Sequence, residues 1–334
     1  MQVLVTGGGG FLGGRIVEDL LARSVPVRVF QRSAAPQLSA RGVDVREGSL
    51  DDASAVAAAC AGITSVFHVA AKAGFWGERA AYVAANVTGT RNVVAACRSA
   101  GVRHLIYTST PSVVFSGEAF EGADESLPYG QNFLCHYAET KAEAERCALS
   151  ANAPGQLAVC ALRPHLIYGP GDPHLLPRVL AKAKEGRLRQ VGDGTNRVDI
   201  THVANAAAAH LKAWEALQAG RGEGQAYFIS DGMPVSLWPW INDVLQRCGV
   251  PRIEKNVTLP KAYKLGAIME WLWRTFPIPG EPPMTRFVAT ELAKSHWFSI
   301  EAARRDLDYA PVIEPQAALQ ETVAWLKQSQ PVAR

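Results

Sequence analysis

The chain has 334 residues, 48% of them hydrophobic, and a formal net charge of +3. This length can fill the core of one large domain or of a domain with an attached lobe, whereas so mild and scattered a charge argues against nucleic acid as a partner. The six cysteines form no Cys-x-x-Cys pair, so we expect reduced thiols in a cytoplasmic protein. We expect no signal peptide, no membrane-spanning run of about 20 apolar residues and no metal site, because no His, Cys and Asp residues share a metal-binding spacing.

A glycine-rich turn opens the chain, between a short apolar strand and an amphipathic helix. Gly7, Gly10 and Gly13 form a Gly-x-x-Gly-x-x-Gly pattern, in which bare backbone can turn sharply and approach a pyrophosphate. The amide groups at the start of the helix, around Phe11 and Leu12, would point at the phosphates. The pattern predicts a dinucleotide-binding site, with a merely flexible turn as the alternative.

The second predicted strand ends at Gln31 and Arg32. Dinucleotide-binding folds that prefer NAD carry Asp or Glu at this place to bind the ribose 2′-hydroxyl, and neither is present here. Arg32 could instead form charge-assisted hydrogen bonds to a 2′-phosphate. The sequence therefore favours NADP(H), with an arginine that only solvates the strand end as the alternative.

Strands and helices alternate through the first half of the chain, with strands predicted at 43–47, 65–71, 104–110 and 158–164 and a long helix at 78–100. This alternation is typical of an α/β fold with a doubly wound parallel sheet. Ligands of such sheets bind beyond the carboxyl ends of the strands. Further candidate cofactor contacts fall at these ends: Ser49, Leu50, Ala70, Ala71, Pro164 and His165.

Tyr137 and Lys141 stand four residues apart on the helix that follows the YTST strand end. This spacing stacks the two side chains on one helical face. A lysine ammonium there could lower the pKa of the phenol from its usual value of about 10, which makes the tyrosine a candidate acid–base group. A surface tyrosine beside a solvated lysine is the alternative, and we expect the preceding His136 to face solvent or a loop.

The chain leaves the predicted sheet after residue 165 and returns to it once. We predict a Rossmann domain made of residues 1–165 and about 197–232, and a smaller, mostly helical substrate-binding lobe made of about 166–196 and 233–330. The lobe is rich in tryptophan and other apolar residues, which argues against a pocket for a nucleotide sugar.

One predicted helix of the lobe, YKLGAIMEWLWRTFPIP at 263–279, has a distinct apolar face. The face comprises Leu265, Ile268, Met269, Leu272 and Phe276. Three interpretations remain open: a wall or lid over a lipid-like substrate, a helix lying on a membrane surface, or plain packing against neighbouring helices.

Several motifs share the order and spacing of one known family: TGGGGFLGG, FHVAA, NVTGTRNVV, YTST, the Tyr137/Lys141 pair and LRPHLIYGPGD. Over essentially its whole length the chain resembles the extended short-chain dehydrogenases/reductases. The segments GDGTNRVDITHVANAAAAH and PPMTRF are most similar to the 3β-hydroxysteroid and sterol-4-carboxylate dehydrogenase branch.

The resemblance implies a role for each matching residue. Tyr137 would donate a proton to the substrate carbonyl as hydride arrives from the nicotinamide C4, and Lys141 would hold the nicotinamide ribose. Thr110, or its neighbour Ser109, would polarise the carbonyl. Asn86 matches an asparagine that steadies the active site, although a role in helix packing remains open.

Within this branch the chain is most similar to the reductases of bacterial long-chain olefin biosynthesis. This implies NADPH-dependent reduction of a long-chain 2-alkyl-3-oxoalkanoic acid to the 3-hydroxy acid, a homodimer formed through the long helices, and association with neighbouring enzymes of the pathway. A steroid or sterol-carboxylate dehydrogenase and a sugar-nucleotide epimerase are alternatives of the same fold. A redox-sensing protein that binds NADP without catalysing a reaction is a further alternative, and the presence of the Tyr137/Lys141 pair argues against it.

Overall fold

A computed structural model describes residues 2–329, so Met1 and Gln330, the outer ends of the predicted domain ranges, lie outside the described residues. The first half of the chain forms, in order, β1 (Val3–Thr6), α1 (Phe11–Ala22), β2 (Val27–Gln31), α2 (Pro36–Ser39), β3 (Asp44–Glu47), α3 (Ala53–Cys60), β4 (Ser65–His68), α4 (Arg79–Tyr82), α5 (Gly89–Ala100), β5 (His104–Thr108), β6 (Phe120–Ala123), α6 (His136–Leu149) and β7 (Ala158–Pro164). A π-helix (Val83–Thr88) joins α4 to α5, and a short 3₁₀ helix (Pro111–Val114) follows β5.

The second half of the chain is richer in helices than in strands. It forms, in order, β8 (Ile167–Tyr168), α7 (Leu176–Lys184), β9 (Gln190–Val191), β10 (Arg197–Val198), β11 (Thr201–His202), α8 (Val203–Gln218), β12 (Ala226–Ile229), β13 (Val235–Ser236), α9 (Leu237–Arg247), β14 (Asn256–Val257), α10 (Leu259–Thr275), α11 (Arg286–Ala293), β15 (His296–Phe298), α12 (Glu301–Leu307) and α13 (Pro315–Gln328).

Seven parallel strands form the central sheet in the order β3-β2-β1-β4-β5-β7-β12. The strand order reverses at β1 and β4, as it does in doubly wound nucleotide-binding sheets. Every residue of β1, β4 and β7 is buried, because helices cover both faces of the sheet. The predicted α/β Rossmann fold is confirmed.

The helices divide between the two faces of this sheet. Residues of α3, α5 and α6 form the core on one face, and residues of α1, α8 and α12 form the core on the other. Helix α8 carries the run Ala204, Asn205, Ala206 and Ala207, all buried. Such small side chains let its backbone approach both the sheet and α1 closely.

A smaller lobe with its own hydrophobic core accompanies the Rossmann domain. Helices α7, α9, α10, α11 and α13 contribute to that core, beside a mixed sheet in the order β13-β10-β15-β6. The mostly helical lobe is therefore confirmed. Strands β6 and β10, from ranges predicted for the Rossmann domain, pair within the lobe sheet, whereas α12 returns to the Rossmann domain because Ile300, Ala303 and Leu307 are buried in its core.

Two elements end elsewhere than the sequence predicts. Strand β4 stops at His68 rather than at residue 71, because the backbone amides of Val69 and Ala70 donate to the Thr6 hydroxyl, at 3.1 Å each, instead of to a neighbouring strand. Helix α10 ends at Thr275, because the chain becomes extended just before Pro277. Within residues 2–329, none of the helices combines the length and hydrophobicity that crossing a bilayer requires.

A buried ion pair fastens α6 to the sheet. The Arg163 guanidinium on β7 donates to both carboxylate oxygens of Glu145 on α6, at 2.6 and 3.0 Å, and both side chains are almost fully buried. Paired charges can remain in such a place because each satisfies the other. Tyr129 donates a further hydrogen bond to Glu145, at 2.8 Å.

We therefore expect Glu145→Ala to lower the free energy of unfolding by about 3–5 kcal/mol, because it strands the Arg163 charge in the core. Glu143, on the same helix, forms an exposed ion pair with Arg91 at 2.8 Å, so Glu143→Ala should cost less than about 1 kcal/mol. Urea denaturation followed by circular dichroism measures both. Equal losses in the two variants would show that the buried pair does not hold α6 in place.

Candidate active site

The glycine turn closes tightly around the end of β1. Gly7 has a positive φ of 72°, which favours glycine, and its carbonyl accepts from the amide of Gly10 at 2.9 Å. A Cβ atom added to Gly13 would lie 2.2 Å from the carbonyl oxygen of Gly7. Phe11 and Leu12 begin α1, and because the Leu12 side chain is buried, only its backbone can face a ligand.

At the end of β2, the Gln31 side chain bonds the glycine turn, whereas the Arg32 side chain is exposed to solvent. The Gln31 side chain accepts from the amide of Gly9 at 2.7 Å and donates to the carbonyl of Ser33 at 2.7 Å. It therefore holds the glycine turn, a role that the sequence analysis did not assign to it. Arg32 lies exposed just past the strand end, where its guanidinium can reach a ligand.

A buried chain of hydrogen bonds, absent from the sequence analysis, shapes the neighbouring end of β4. Thr90 donates its only hydroxyl proton to the carbonyl of Asn86 at 2.6 Å, so His68 Nε2 must donate to Thr90 at 3.0 Å. Burial, with the Lys141 charge, lowers the pKa of His68 to about 3, and the Nδ1 atom of the neutral ring accepts from Thr6 at 2.8 Å. The Thr6 oxygen is thereby oriented toward the amide of Ala70.

The other predicted cofactor contacts also lie at the carboxyl edge of the sheet. Ala70 abuts Gly7, since a Cβ on Gly7 would lie 3.1 Å from it, and Ala71 is exposed beside it. Ser49 is exposed beyond β3, and Leu50 packs against Gly89 of α5. The strand ends meet at one edge, as the sequence analysis expected.

Tyr137 lies in the first turn of α6, with its phenol near Thr110. Burial raises the pKa of Tyr137 to about 12, and a hydrogen bond with the Thr110 side chain opposes that rise. The Ser109 hydroxyl is instead buried without a hydrogen-bond partner among the described residues. The geometry therefore favours Thr110 over Ser109 as the residue that shares a substrate oxygen with Tyr137.

Lys141 is buried beneath Tyr137 on the same face of α6. Its Nζ donates to the carbonyl of Thr108 at 2.6 Å and lies 4.2 Å from the ring centroid of Tyr107. Burial lowers the pKa of Lys141 to about 7, against the opposing charge of Glu145. The expected lowering of the Tyr137 pKa is thus wrong for the protein alone: burial is the largest influence on this pKa, and the phenol keeps its proton at neutral pH.

Asn86 joins two parts of this site. Its side-chain oxygen accepts from the amide of Lys72 at 2.7 Å, and its amide nitrogen donates to Thr140 at 3.1 Å. The residue lies in the π-helix between α4 and α5, a distortion that often occurs at functional sites. Asn86 therefore ties the loop after β4 to α6, which favours the steadying role over helix packing.

Pro164 ends β7, and His165 points from there toward the lobe. His296 on β15 donates through Nε2 to the carbonyl of Glu291 at 2.7 Å, so its Nδ1 accepts from His165 Nε2 at 2.6 Å when the ring is neutral. Burial holds the pKa of His165 well below its usual value. His165 therefore links the two domains beside the site.

These two histidines and Glu291 are the one group among residues 2–329 that could hold a metal ion, with ligand atoms within 4.8 Å of one another. The sequence analysis found no such spacing, because the residues come from distant parts of the chain. Two imidazole nitrogens on one zinc ion lie about 3.3 Å apart. The 2.6 Å separation of His165 and His296 is instead that of a hydrogen bond.

A cleft of ≈ 610 Å³ opens in front of α6, within the size range of small-molecule sites. The Phe75 ring packs edge-on against Tyr137 at 6.2 Å between centroids. His136 lies in the cleft wall, 3.4 Å from Glu139, rather than facing open solvent. The apolar part of the lining comprises Phe75, Trp76, Phe133, Leu134 and Trp273.

The residues at the sheet edge fit a dinucleotide. Gly13 lets the first turn of α1 pack directly against the Gly7 carbonyl at the end of β1, and Gly10 leaves the start of α1 without a side-chain cap, so the free amides there can face a pyrophosphate. Thr110 follows β5, two strands from β1 in the sheet, and with Tyr137 and Lys141 it marks the place where a nicotinamide and a carbonyl substrate could meet.

We expect Gly13→Ala to lower the melting temperature and to weaken dinucleotide binding at least about tenfold, because its Cβ would collide with the Gly7 carbonyl. Gly14→Ala is the matched control, since its Cβ would lie an ordinary 3.5 Å from the Gly8 carbonyl. Alanine raises helix propensity equally at both positions, so the difference isolates the collision. Differential scanning fluorimetry and fluorescence titration with NADPH measure the two effects, and equal behaviour would contradict the tight turn.

Comparison with known proteins finds relatives that align over nearly the whole chain. Residues 4–261 match the 3-beta hydroxysteroid dehydrogenase/isomerase family. A 2-alkyl-3-oxoalkanoate reductase of Stenotrophomonas maltophilia is 49% identical, over 98% of this chain and 99% of that protein. A 3 beta-hydroxysteroid dehydrogenase/Delta 5-->4-isomerase of Mycobacterium tuberculosis is 35% identical, over 97% and 90%.

A solved structure supports the fold. MoeE5 in complex with UDP-glucose and NAD superposes with a TM-score of 0.76 at 24% identity, over 98% of this chain and 99% of that chain. The family match and the two relatives confirm the family that the motifs indicated. The chain belongs to the 3-beta hydroxysteroid dehydrogenase/isomerase family, within the extended short-chain dehydrogenases/reductases, and is an oxidoreductase.

Proposed function

We propose that the protein reduces the 3-oxo group of a long-chain 2-alkyl-3-oxoalkanoic acid to a hydroxyl group, with NADPH as the reductant, in olefin biosynthesis. The observation that carries the proposal is the Tyr137–Thr110 pair at a dinucleotide-fitting sheet edge, with Phe75 packed between Tyr137 and the neighbouring cleft. Bound NADPH supplies the hydride.

Each polar residue of the site then has one task. The Tyr137 phenol, whose pKa burial raises to about 12, is protonated at neutral pH and can give that proton to the substrate oxygen. Thr110 holds the same oxygen. Lys141, fixed to the carbonyl of Thr108, lies where it can bind the nicotinamide ribose.

Two observations support the substrate class. The relative from Stenotrophomonas maltophilia, which aligns over nearly its full length, is a 2-alkyl-3-oxoalkanoate reductase, and the aromatic and aliphatic side chains of the cleft lining, which stand among charged ones such as Arg79, Glu139 and Arg274, offer contacts to alkyl chains. The proposal includes a homodimer and association with neighbouring pathway enzymes, both of which rest on the family resemblance. A 3β-hydroxysteroid dehydrogenase is the second candidate, favoured by the Mycobacterium tuberculosis relative.

The preference for NADPH rests on the end of β2. Gln31 stands at the position where an acidic residue would bind the ribose 2′-hydroxyl, and its side chain instead accepts a hydrogen bond from the glycine turn. The exposed Arg32 beside it offers the positive charge that a 2′-phosphate requires. MoeE5, by contrast, was solved with NAD, so the two cofactors must be compared directly.

We expect NADPH oxidation with 2-alkyl-3-oxoalkanoic acids but with neither 3-oxosteroids nor nucleotide sugars. Tyr137→Phe should lower kcat about 10²- to 10⁴-fold while leaving NADPH binding intact, because it removes only the proton donor. Tyr309→Phe, which removes a buried hydroxyl bonded to Ser230 at 2.9 Å, is the matched control and should keep its activity. Turnover on steroids alone would establish the second candidate, and an active Tyr137→Phe would remove the assigned proton donor.

We expect NADPH to bind more tightly than NADH. Arg32→Ala should reduce the ratio of the NADH to the NADPH dissociation constant about 10- to 100-fold, which corresponds to the loss of a charge-assisted hydrogen bond. Arg23→Ala is the control, because Arg23 pairs with Glu215 at the other end of α1. Isothermal titration calorimetry with both cofactors gives the ratios. An unchanged ratio in Arg32→Ala would mean that another group selects the cofactor.

A further inference from the structure

Helix α10 is held to the lobe by small and polar residues rather than by its large apolar ones. Ala262, Gly266 and Glu270 form its buried face. A Cβ on Gly266 would lie 2.6 Å from the Thr285 carbonyl carbon, so the helix lies directly against that backbone. Glu270 accepts from the backbone amide and the Nε atom of Arg286, at 2.7 and 2.9 Å, which fixes the helix's rotation about its axis.

This rotation exposes three of the five residues of the predicted apolar face, Leu265, Ile268 and Phe276, and leaves the other two half-buried. Leu265, Ile268 and Trp271 recur at helical spacing on one side of α10, and they are 45%, 56% and 59% exposed. Phe276, just past the helix, is 49% exposed and meets the Trp271 ring edge-on at 6.1 Å. Plain packing against neighbouring helices, one of the three interpretations of this segment, is therefore wrong for these side chains.

The apolar strip is bracketed by positive charge alone. Lys261 lies exposed about one turn before Leu265, Lys264 lies exposed directly before it, and Arg274 lies exposed about one turn after Trp271. Glu270, the single acidic residue of α10, is buried in its ion pair with Arg286. The outward surface of the helix therefore combines large apolar side chains with cations that form no ion pair within residues 2–329, the composition of helices that lie in the interface of anionic membranes.

The strip also borders the mouth of the cleft. Trp273 and Arg274, on the same helix, line the cleft together with Phe75 and Trp76. The Arg274 guanidinium lies 5.5 Å from the ring centroid of Trp76. A surface that covers α10 would therefore lie next to this cleft, whose Phe75 also packs against Tyr137.

We propose that α10 docks the protein on an anionic lipid surface, with Leu265, Ile268 and Trp271 among the acyl chains and Lys261 and Lys264 at the phosphates. A convex strip of one helix with cations at both ends complements a flat anionic surface. The docking is independent of the proposed reaction. The docking would let a two-chain lipid substrate pass from the bilayer into the cleft, and this role rests on the proposed function.

The test is co-sedimentation of the full chain with vesicles of phosphatidylcholine, with or without phosphatidylglycerol. We expect binding to the anionic vesicles to be at least about tenfold tighter, because each Lys or Arg near an anionic surface contributes to the attraction. Ile268→Ser/Trp271→Ser should lose binding to both kinds of vesicle, and Lys261→Gln/Lys264→Gln should lose only the preference for phosphatidylglycerol. Met233→Ser/Val312→Ser is the matched control, because these residues are 63% and 64% exposed outside α10, and it should bind as the parent does.

Failure of docking and failure of the proposed reaction are distinguishable. Turnover of a short-chain, water-soluble 3-oxo acid tests the reaction without a membrane, and Ile268→Ser/Trp271→Ser should keep it. No binding to anionic vesicles, or equal loss in the Met233/Val312 control, would overturn the docking proposal. So would a dimer in sedimentation velocity that dissociates only in the α10 variant, because the strip would then be covered by a second copy of the chain.

Discussion

The ion pair between Glu145 and Arg163 is the contact on which the site depends. Tyr137, Lys141 and Glu145 stand at intervals of four residues on α6, so one helical face carries all three. The paired Glu145 anchors that face to β7, the strand that leads to Pro164 and His165. Because the charges are buried and bidentate, α6 cannot rotate or slide without stranding them. The phenol and the ammonium are thereby held above the end of β5.

Polar groups with defined partners shape the rest of the sheet edge in the same manner. The neutral His68 ring accepts a hydrogen bond from Thr6 and donates one to Thr90. Asn86 extends this network to α6 by donating to Thr140. Thr6 accepts from the amides of Val69 and Ala70, and Asn86 bonds both the amide and the carbonyl of Lys72, so the loop after β4 is fastened at both ends. A dinucleotide site needs such rigidity, since the backbone approaches the phosphates too closely to tolerate alternative conformations.

In the lobe, too, an ion pair fixes the rotation of a helix, but with a different consequence. Glu270 and Arg286 fix α10 just as Glu145 and Arg163 fix α6. On α6 the anchored face is the one that carries the chemistry. On α10 the anchored face is small and polar, so the large apolar side chains are left to meet an outside surface.

Short-range patterns in the sequence were sufficient for the fold class, the glycine turn and the Tyr137/Lys141 pair, because each depends on residues a few positions apart. They were also sufficient to find one apolar face on α10. They could not decide whether that face was buried, because the answer lies in Glu270 meeting Arg286 across a loop. Nor could they show that Thr6 bonds His68 or that His165 bonds His296, because these partners are 62 and 131 residues apart in the chain. The sequence alone therefore determined which elements form and where chemistry concentrates, whereas only the tertiary structure decided which polar groups are paired, and hence that burial keeps Tyr137 protonated and turns α10 outward.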